Sequence, residues 1–243
     1  MPRDFFDTLG FLTRLAPARV IPDTAMNRCI RWMPVAGLVL GLVIALPLRL
    51  GLFADSPWIQ AWLLVAASIY LTRGLHMDGL ADVCDAVTTH ADPARFWEVV
   101  KDSRTGAFGA MGLVMALAGQ VILFHAMLAR GQYWAAAWAF VLGRAAAVWL
   151  AYHVRHLVRP GLGKLYIDGA TLGVALIATL FTFAAGWLMA GFAATLASTV
   201  IATLLLLGLY RLAERVGGAN GDFLGCAVIL GELAAGLGFA LVM

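Results

Sequence analysis

Residues 169–210 read GATLGVALIATLFTFAAGWLMAGFAATLASTVIATLLLLGLY, without one Asp, Glu, Lys or Arg. A bilayer core needs about 20 apolar residues per crossing helix, so this run is long enough for two. We place them at 169–187 and 189–210, divided only by Gly186 and Gly191, where glycine permits the chain to reverse. Outward from this run, five more stretches have the same character: 34–53, 57–75, 105–129, 133–152 and 223–243. The whole chain is 62% hydrophobic and 13% charged, against roughly 25% charge in soluble domains. The expected fold is all-α: one polytopic membrane helical bundle over 1–243, with about seven transmembrane helices.

The basic residues set an expected orientation. With the N-terminus in the cytoplasm, Arg3, Arg14, Arg19, Arg28, Arg31, Arg73, Arg95, Lys101, Arg104, Arg155, Arg159, Lys164, Arg211 and Arg215 fall on that side, and only Arg49 and Arg130 fall outside. Such an asymmetry is the positive-inside pattern, and it agrees with an odd number of spans. The net charge of +3 is small and spread along the chain, so nucleic acid is not an expected partner. The lipid bilayer is.

The first thirty residues lack the continuous apolar core and small-residue cleavage site of a signal peptide, and 1–33 is expected to be a cytoplasmic or interfacial segment. Phe5, Phe6, Leu9 and Leu12 share one side of a helix, and Arg3, Asp7 and Arg14 share another. That is the pattern of a segment lying in the membrane interface, either as an anchor or as a lid over a surface site. Cys29, Cys84 and Cys226 are odd in number and widely spaced, and read as packing residues. Gly37 with Gly41, and Gly106 with Gly109 and Gly112, have the spacing that lets helices approach closely. Arg159-Pro-Gly-Leu-Gly-Lys164 lacks the first glycine and the hydroxyl residue of a phosphate loop. His76 reads as a hydrogen-bonding interface residue, and His153 with His156 are too few for a metal centre. Arg144 lies within a span, where charge is costly, and either marks a site or pairs with Glu232.

The chemistry concentrates in 74–112. In His76-Met-Asp-Gly-Leu-Ala-Asp-Val-Cys-Asp-Ala86, Asp78, Asp82 and Asp85 are spaced by four and then three residues, one face of a helix. Three stacked carboxylates repel one another and call for a cation. Oxygen ligands without a thiolate or a His pair suit Mg²⁺, which uses one or two carboxylates together with substrate phosphates. Lys101-Asp-Ser-Arg-Thr-Gly106 follows, and Lys101 and Arg104 suit phosphate oxygens at the start of an apolar helix. Gly217-Gly-Ala-Asn-Gly-Asp222 lies on the same expected side. It reads either as a turn and helix cap or as Asp222 joining the metal site or serving as a base. Metal plus phosphate clamp is the equipment of phosphoryl transfer.

Gly74–Asp85, Lys101–Gly109 and Gly218–Gly225 resemble the signature segments of the adenosylcobinamide-GDP ribazoletransferase (cobalamin synthase) family, and Phe11-Leu-Thr-Arg-Leu15 resembles its N-terminal motif. The resemblance spans nearly the whole chain. It implies a bacterial inner-membrane, Mg²⁺-dependent enzyme with its active site on the cytoplasmic side. The substrates would be adenosylcobinamide-GDP and α-ribazole or its 5′-phosphate, giving adenosylcobalamin or its phosphate and GMP. Asp78, Asp82 and Asp85 would hold Mg²⁺, Lys101 and Arg104 would bind phosphate, and Asp102 or Asp222 would be the general base. A second copy of the chain and other enzymes of the pathway are further partners such a setting admits. Ala86 for a usual glycine, Asn220 for threonine and Phe108 for tyrosine depart from the family pattern and bear on substrate fit, since every charged group is kept.

Two other readings share some of these features. A CDP-alcohol phosphotransferase also uses an aspartate-rich membrane site, but its Asp-Gly-x-x-Ala-Arg pattern is absent here. A cation-coupled transporter calls for acids near the midplane and broken helices in matching halves, whereas these aspartates lie at a span end.

Overall fold

A computed structural model describes residues 2–89 and 92–243. The expected segments 1–33 and 74–112 also take in Met1, His90 and Ala91, which lie outside the described residues. In chain order the helices are α1 (Pro2–Leu12), α2 (Asp23–Cys29), α3 (Met33–Arg49), α4 (Pro57–Thr72), α5 (Leu75–Val87), α6 (Pro93–Val100), α7 (Ala107–Leu128), α8 (Tyr133–His153), α9 (Leu162–Gly169), α10 (Leu172–Ala190), α11 (Phe192–Arg215) and α12 (Gly221–Val242). A 3₁₀ turn at Ile30–Trp32 joins α2 to α3, so Asp23–Arg49 runs as one 27-residue rod. Among the described residues six rods are long and apolar enough to cross a membrane: this one, α7, α8, α10, α11 and α12. The expected span at 57–75 is α4, 16 residues long, about 24 Å at 1.5 Å per residue. The chain is a multi-pass helical bundle.

The run 169–210 forms two helices, and Gly191 divides them. Its φ of +86° is a left-handed geometry that suits glycine. Gly186 stays inside α10, where a Cβ would come within 2.6 Å of the Trp138 ring and 2.7 Å of Thr195.

Helix α8 is the axis of the bundle, buried along nearly its whole length against α3, α10 and α12. Lipid supplies no hydrophobic drive for helices to associate, so close backbone contact must do it. Gly37 and Gly41 of α3 provide that contact: a Cβ on either would fall 2.3 Å and 2.2 Å from the carbonyls of Phe140 and Ala137 on α8. Arg144 pairs with Glu232 of α12, both almost fully buried, and Gln120 of α7 donates to the other Glu232 oxygen at 2.6 Å. The intramembrane arginine thus has a structural partner, and the triad ties three helices together.

The N-terminal helix is present, with its faces distributed differently from the sequence expectation. Phe6 is exposed, while Asp4 and Asp7 are buried. The cause is polar bonding inward: Arg28 holds Asp4 through two hydrogen bonds, of 3.2 and 3.0 Å, and the Thr8 hydroxyl donates to the Asp4 and Cys29 carbonyls. The end of α1 is strapped to α4 by Arg14 N–H on the Leu71 carbonyl at 2.7 Å and by Arg73 on the Gly10 and Phe11 carbonyls. Cys29 and Cys226 are buried, and none of the three cysteines is bonded to another.

Candidate active site

Helix α4 ends through two consecutive left-handed residues, Arg73 (φ +57°) and Gly74 (φ +70°), and the chain re-enters as α5. This 13-residue helix is too short to span a membrane and lies between α12 and α7. Met77, Leu80, Val83 and Ala86 supply its buried face, which leaves Asp78 exposed and Asp82 and Asp85 half-buried.

Helix α5 meets the first turn of α12 at Gly79. A Cβ there would lie 2.8 Å from the Asp222 carbonyl oxygen and 2.9 Å from its Cα. Asp222 is thereby set beside the α5 aspartates. Asn220 caps α12, accepting from the N–H groups of Asp222 and Phe223, and its amide donates to the Asp222 carboxylate at 2.6 Å. The cap and the placement of an acid are therefore one motif. Burial, followed by the charges of Asp222, Asp78 and Asp85, pushes the Asp82 carboxyl up to about 7. Among the described residues no ion pair compensates this group.

Asp85 is engaged differently. Its two carboxylate oxygens accept the backbone N–H groups of Gly106 and Gly109, each at 2.7 Å, so it caps the start of α7 from a neighbouring helix. The expected close approach of Gly106, Gly109 and Gly112 to a partner is found here: a Cβ on any of them would collide with Asp85 or Cys84. Ala86, one of the departures from the family pattern, is fully buried in the same packing, and Phe108 is exposed.

Lys101, Asp102 and Arg104 lie in the exposed link between α6 and α7. Arg104 forks onto Asp102, with Nη2 to Oδ2 at 2.7 Å and Nε to Oδ1 at 3.0 Å. These bonds, with the Arg104 N–H, hold Asp102 down to about 2, which makes it a weak proton acceptor near neutrality. Lys101 lines a recess with Trp97, Glu98 and Arg159, and the Arg159 guanidinium sits 4.4 Å over the Trp97 ring. Thr105, from the same link, faces Asp78 across a second recess with Arg73 and Gly74.

Asp78 and Asp222 border a cavity of about 320 Å³, whose other walls come from the end of α1, Met33, the 160–166 segment and neighbouring residues of α5 and α12. Gly161, Gly163 and Tyr166 form one wall, held near α12 by paired hydrogen bonds of 2.9 Å between Leu157–Arg159 and Ala219. Phe11 stacks on Tyr166 with ring centres 5.4 Å apart, so the end of α1 borders this cavity. Burial, then the charge of Arg144, pushes the His76 imidazole well below its ordinary range. Arg73, Arg159, Tyr166 and the 160–163 turn are the site neighbours that sequence reasoning missed. The glycine-rich run 159–164 was a signal for Arg159 and the 160–163 turn, and Arg73 and Tyr166 lie outside it.

Among the described residues no three His, Cys, Asp or Glu side chains converge to hold a metal ion. Asp78, Asp82 and Asp222 nonetheless match Mg²⁺ by donor type, because that ion is commonly bound by one or two carboxylates and completed by substrate phosphate and water. His153 and His156 are exposed beside the Tyr210 ring and form no such group.

A family model described as CobS, cobalamin-5-phosphate synthase, matches residues 4–240. The chain is 47% identical over 229 residues to a protein of Nitratidesulfovibrio vulgaris (strain Miyazaki F) named adenosylcobinamide-GDP ribazoletransferase, covering 94% of this chain and 91% of that one. Proteins of the same name from Klebsiella pneumoniae (strain 342) and Brevibacillus brevis are 34% and 31% identical, each covered over more than nine-tenths of both chains. No solved structure matches.

Proposed function

The chain belongs to the cobalamin-5-phosphate synthase family and is a transferase, and from that premise we propose that it joins adenosylcobinamide-GDP to α-ribazole or its 5′-phosphate, releasing GMP. The observation that carries the site assignment is the Gly79–Asp222 contact, which sets Asp222 beside the α5 aspartates and brings it with Asp78 onto one cavity. Mg²⁺ bound there would neutralise charge on the diphosphate as it is cleaved.

In this reading Asp78 and Asp82 anchor the ion, and Asp222, steadied by Asn220, takes the proton from the acceptor hydroxyl. The hydroxyl oxygen forms a bond to the phosphorus that carries cobinamide, the bond from that phosphorus to the GMP oxygen breaks, and GMP leaves. Asp102 is the less suitable base because Arg104 already holds it as an anion. Asp85 serves by fixing the start of α7, and so the position of Thr105, more than by binding metal. Lys101 and Arg104, exposed in the link, meet the diphosphate as it arrives. The concentration of Lys and Arg at the end of the bundle that bears the site supports a cytoplasm-facing site in a bacterial inner membrane. The acids lie at that end too, which favours transfer over cation-coupled transport.

The test is GMP release by purified protein in lipid, given both substrates and Mg²⁺. Release that depends on α-ribazole and is lost with chelator or in Asp82→Asn supports the reading. A folded protein that releases no GMP overturns it.

A further inference from the structure

The cavity beside Asp78 and Asp222 has two zones. Its rim carries the exposed Asp78, Gly161 and Leu162. Its inner wall, from Met33, Leu224 and Val228, is apolar and buried, and the stacked Phe11–Tyr166 pair gives it a flat aromatic side. Two polar atoms of the residues that line it, His76 Nε2 and Tyr166 Oη, are buried and find no hydrogen-bond partner among the described residues. Buried polar groups are rarely left without one.

Resting on the transferase reading above, we propose that this cavity seats the flat aromatic base of the acceptor nucleoside, with its ribose at the rim beside Asp78 and Asp222 and the corrin outside the bundle. Three features select that occupant. At about 320 Å³ the space is at the small end of ligand pockets and cannot enclose a corrin with its amide arms. A guanine edge presents several donors and acceptors that an apolar wall would strip of water without replacement. A dimethylbenzimidazole instead presents two methyl groups and a face for stacking, which the apolar wall and the Phe11–Tyr166 pair match. Seating the base inward also points the ribose hydroxyls at the carboxylates, where the transfer takes place.

The experiment uses the full chain in lipid nanodiscs, as wild type and as Leu162→Trp. Leu162 is 65% exposed at the rim, so the larger ring can be carried without disturbing the core while it narrows the cavity. The variant is expected to raise the KM for α-ribazole about tenfold, a typical overpacking penalty, with the KM for adenosylcobinamide-GDP moving by less than about twofold. Free 5,6-dimethylbenzimidazole should compete with α-ribazole in binding followed by its own fluorescence, and GMP should not. A rise confined to adenosylcobinamide-GDP, or competition by GMP, would assign the cavity to guanine and overturn the proposal, as would two unchanged KM values. If the wild type releases no GMP the transferase reading fails, and the binding arm still decides: α-ribazole binding weakened by Leu162→Trp keeps the cavity as a nucleoside site, and absence of binding removes it.

Discussion

The Asp85 carboxylate accepts the Gly109 N–H at 2.7 Å across the contact between α5 and α7. Its second oxygen takes the Gly106 N–H, so an acid from the metal-type motif is spent on the start of a spanning helix. Helix starts carry unpaired N–H groups and a partial positive charge, and Asp85 meets both. Asp82, one turn earlier, has no such partner, and burial followed by the charges of its acidic neighbours raises it.

Asp85→Asn and Asp82→Asn should therefore separate. Replacing Asp85 puts an amide donor against one of two backbone donors and is expected to cost about 1–3 kcal/mol of stability. Asp82→Asn relieves repulsion, so its thermal midpoint should equal or exceed wild type, while Mg²⁺-dependent GMP release falls about 10²-fold or more. Thermal unfolding in nanodiscs beside the GMP assay checks both. Equal midpoints for the two variants would argue against the division of roles.

Deleting Arg144 alone should be far worse than deleting its pair. Arg144→Leu leaves Glu232 buried without its cation, which costs about 3–5 kcal/mol in comparable settings, whereas Arg144→Leu with Glu232→Leu should recover most of that loss. Folded yield and midpoint report it. A double variant no better than the single would mean the pair does more than hold α7, α8 and α12 together.

Gly41→Ala should impair the bundle at a site remote from the chemistry. The new Cβ would meet the Ala137 carbonyl oxygen at 2.2 Å, and the helices must part, at about 1–3 kcal/mol. A lower midpoint with unchanged KM values is expected from the unfolding and kinetic measurements together.

The Asp4–Arg28 pair sets how α1 responds to acid. Hydrogen bonds from Arg28 hold Asp4 below its ordinary value, so the stabilisation is complete above the unfolded value of about 4 and is lost as pH falls through the depressed folded value. Arg28 is partly exposed, 46% at its side chain, so solvent screening keeps the contribution of the pair small. Amide exchange of α1 should show constant protection from pH 8 to pH 5. Asp4→Asn should lower that protection throughout and remove its acid dependence.

Much of this protein was legible in the chain itself. The uncharged run 169–210 compels two lipid-spanning helices because no water is present to satisfy an open backbone, and the aspartate spacing of α5 follows from 3.6 residues per turn. These are local periodicities, and local physics dictates them. The roles of individual acids are not local. Asp78, Asp82 and Asp85 are equivalent along one helix face, and they diverge only because α7 brings two free N–H groups to Asp85 while α12 brings Asp222 to Asp82. The burial of Asp4 alongside Leu9 and Leu12 escaped the pattern of α1 for the same reason: Arg28, far away in sequence, gives that acid a partner. Phe11, Tyr166 and the 160–163 turn join His76 around one cavity only when α9 packs on α2 and α12, a contact between segments that no spacing along the chain encodes.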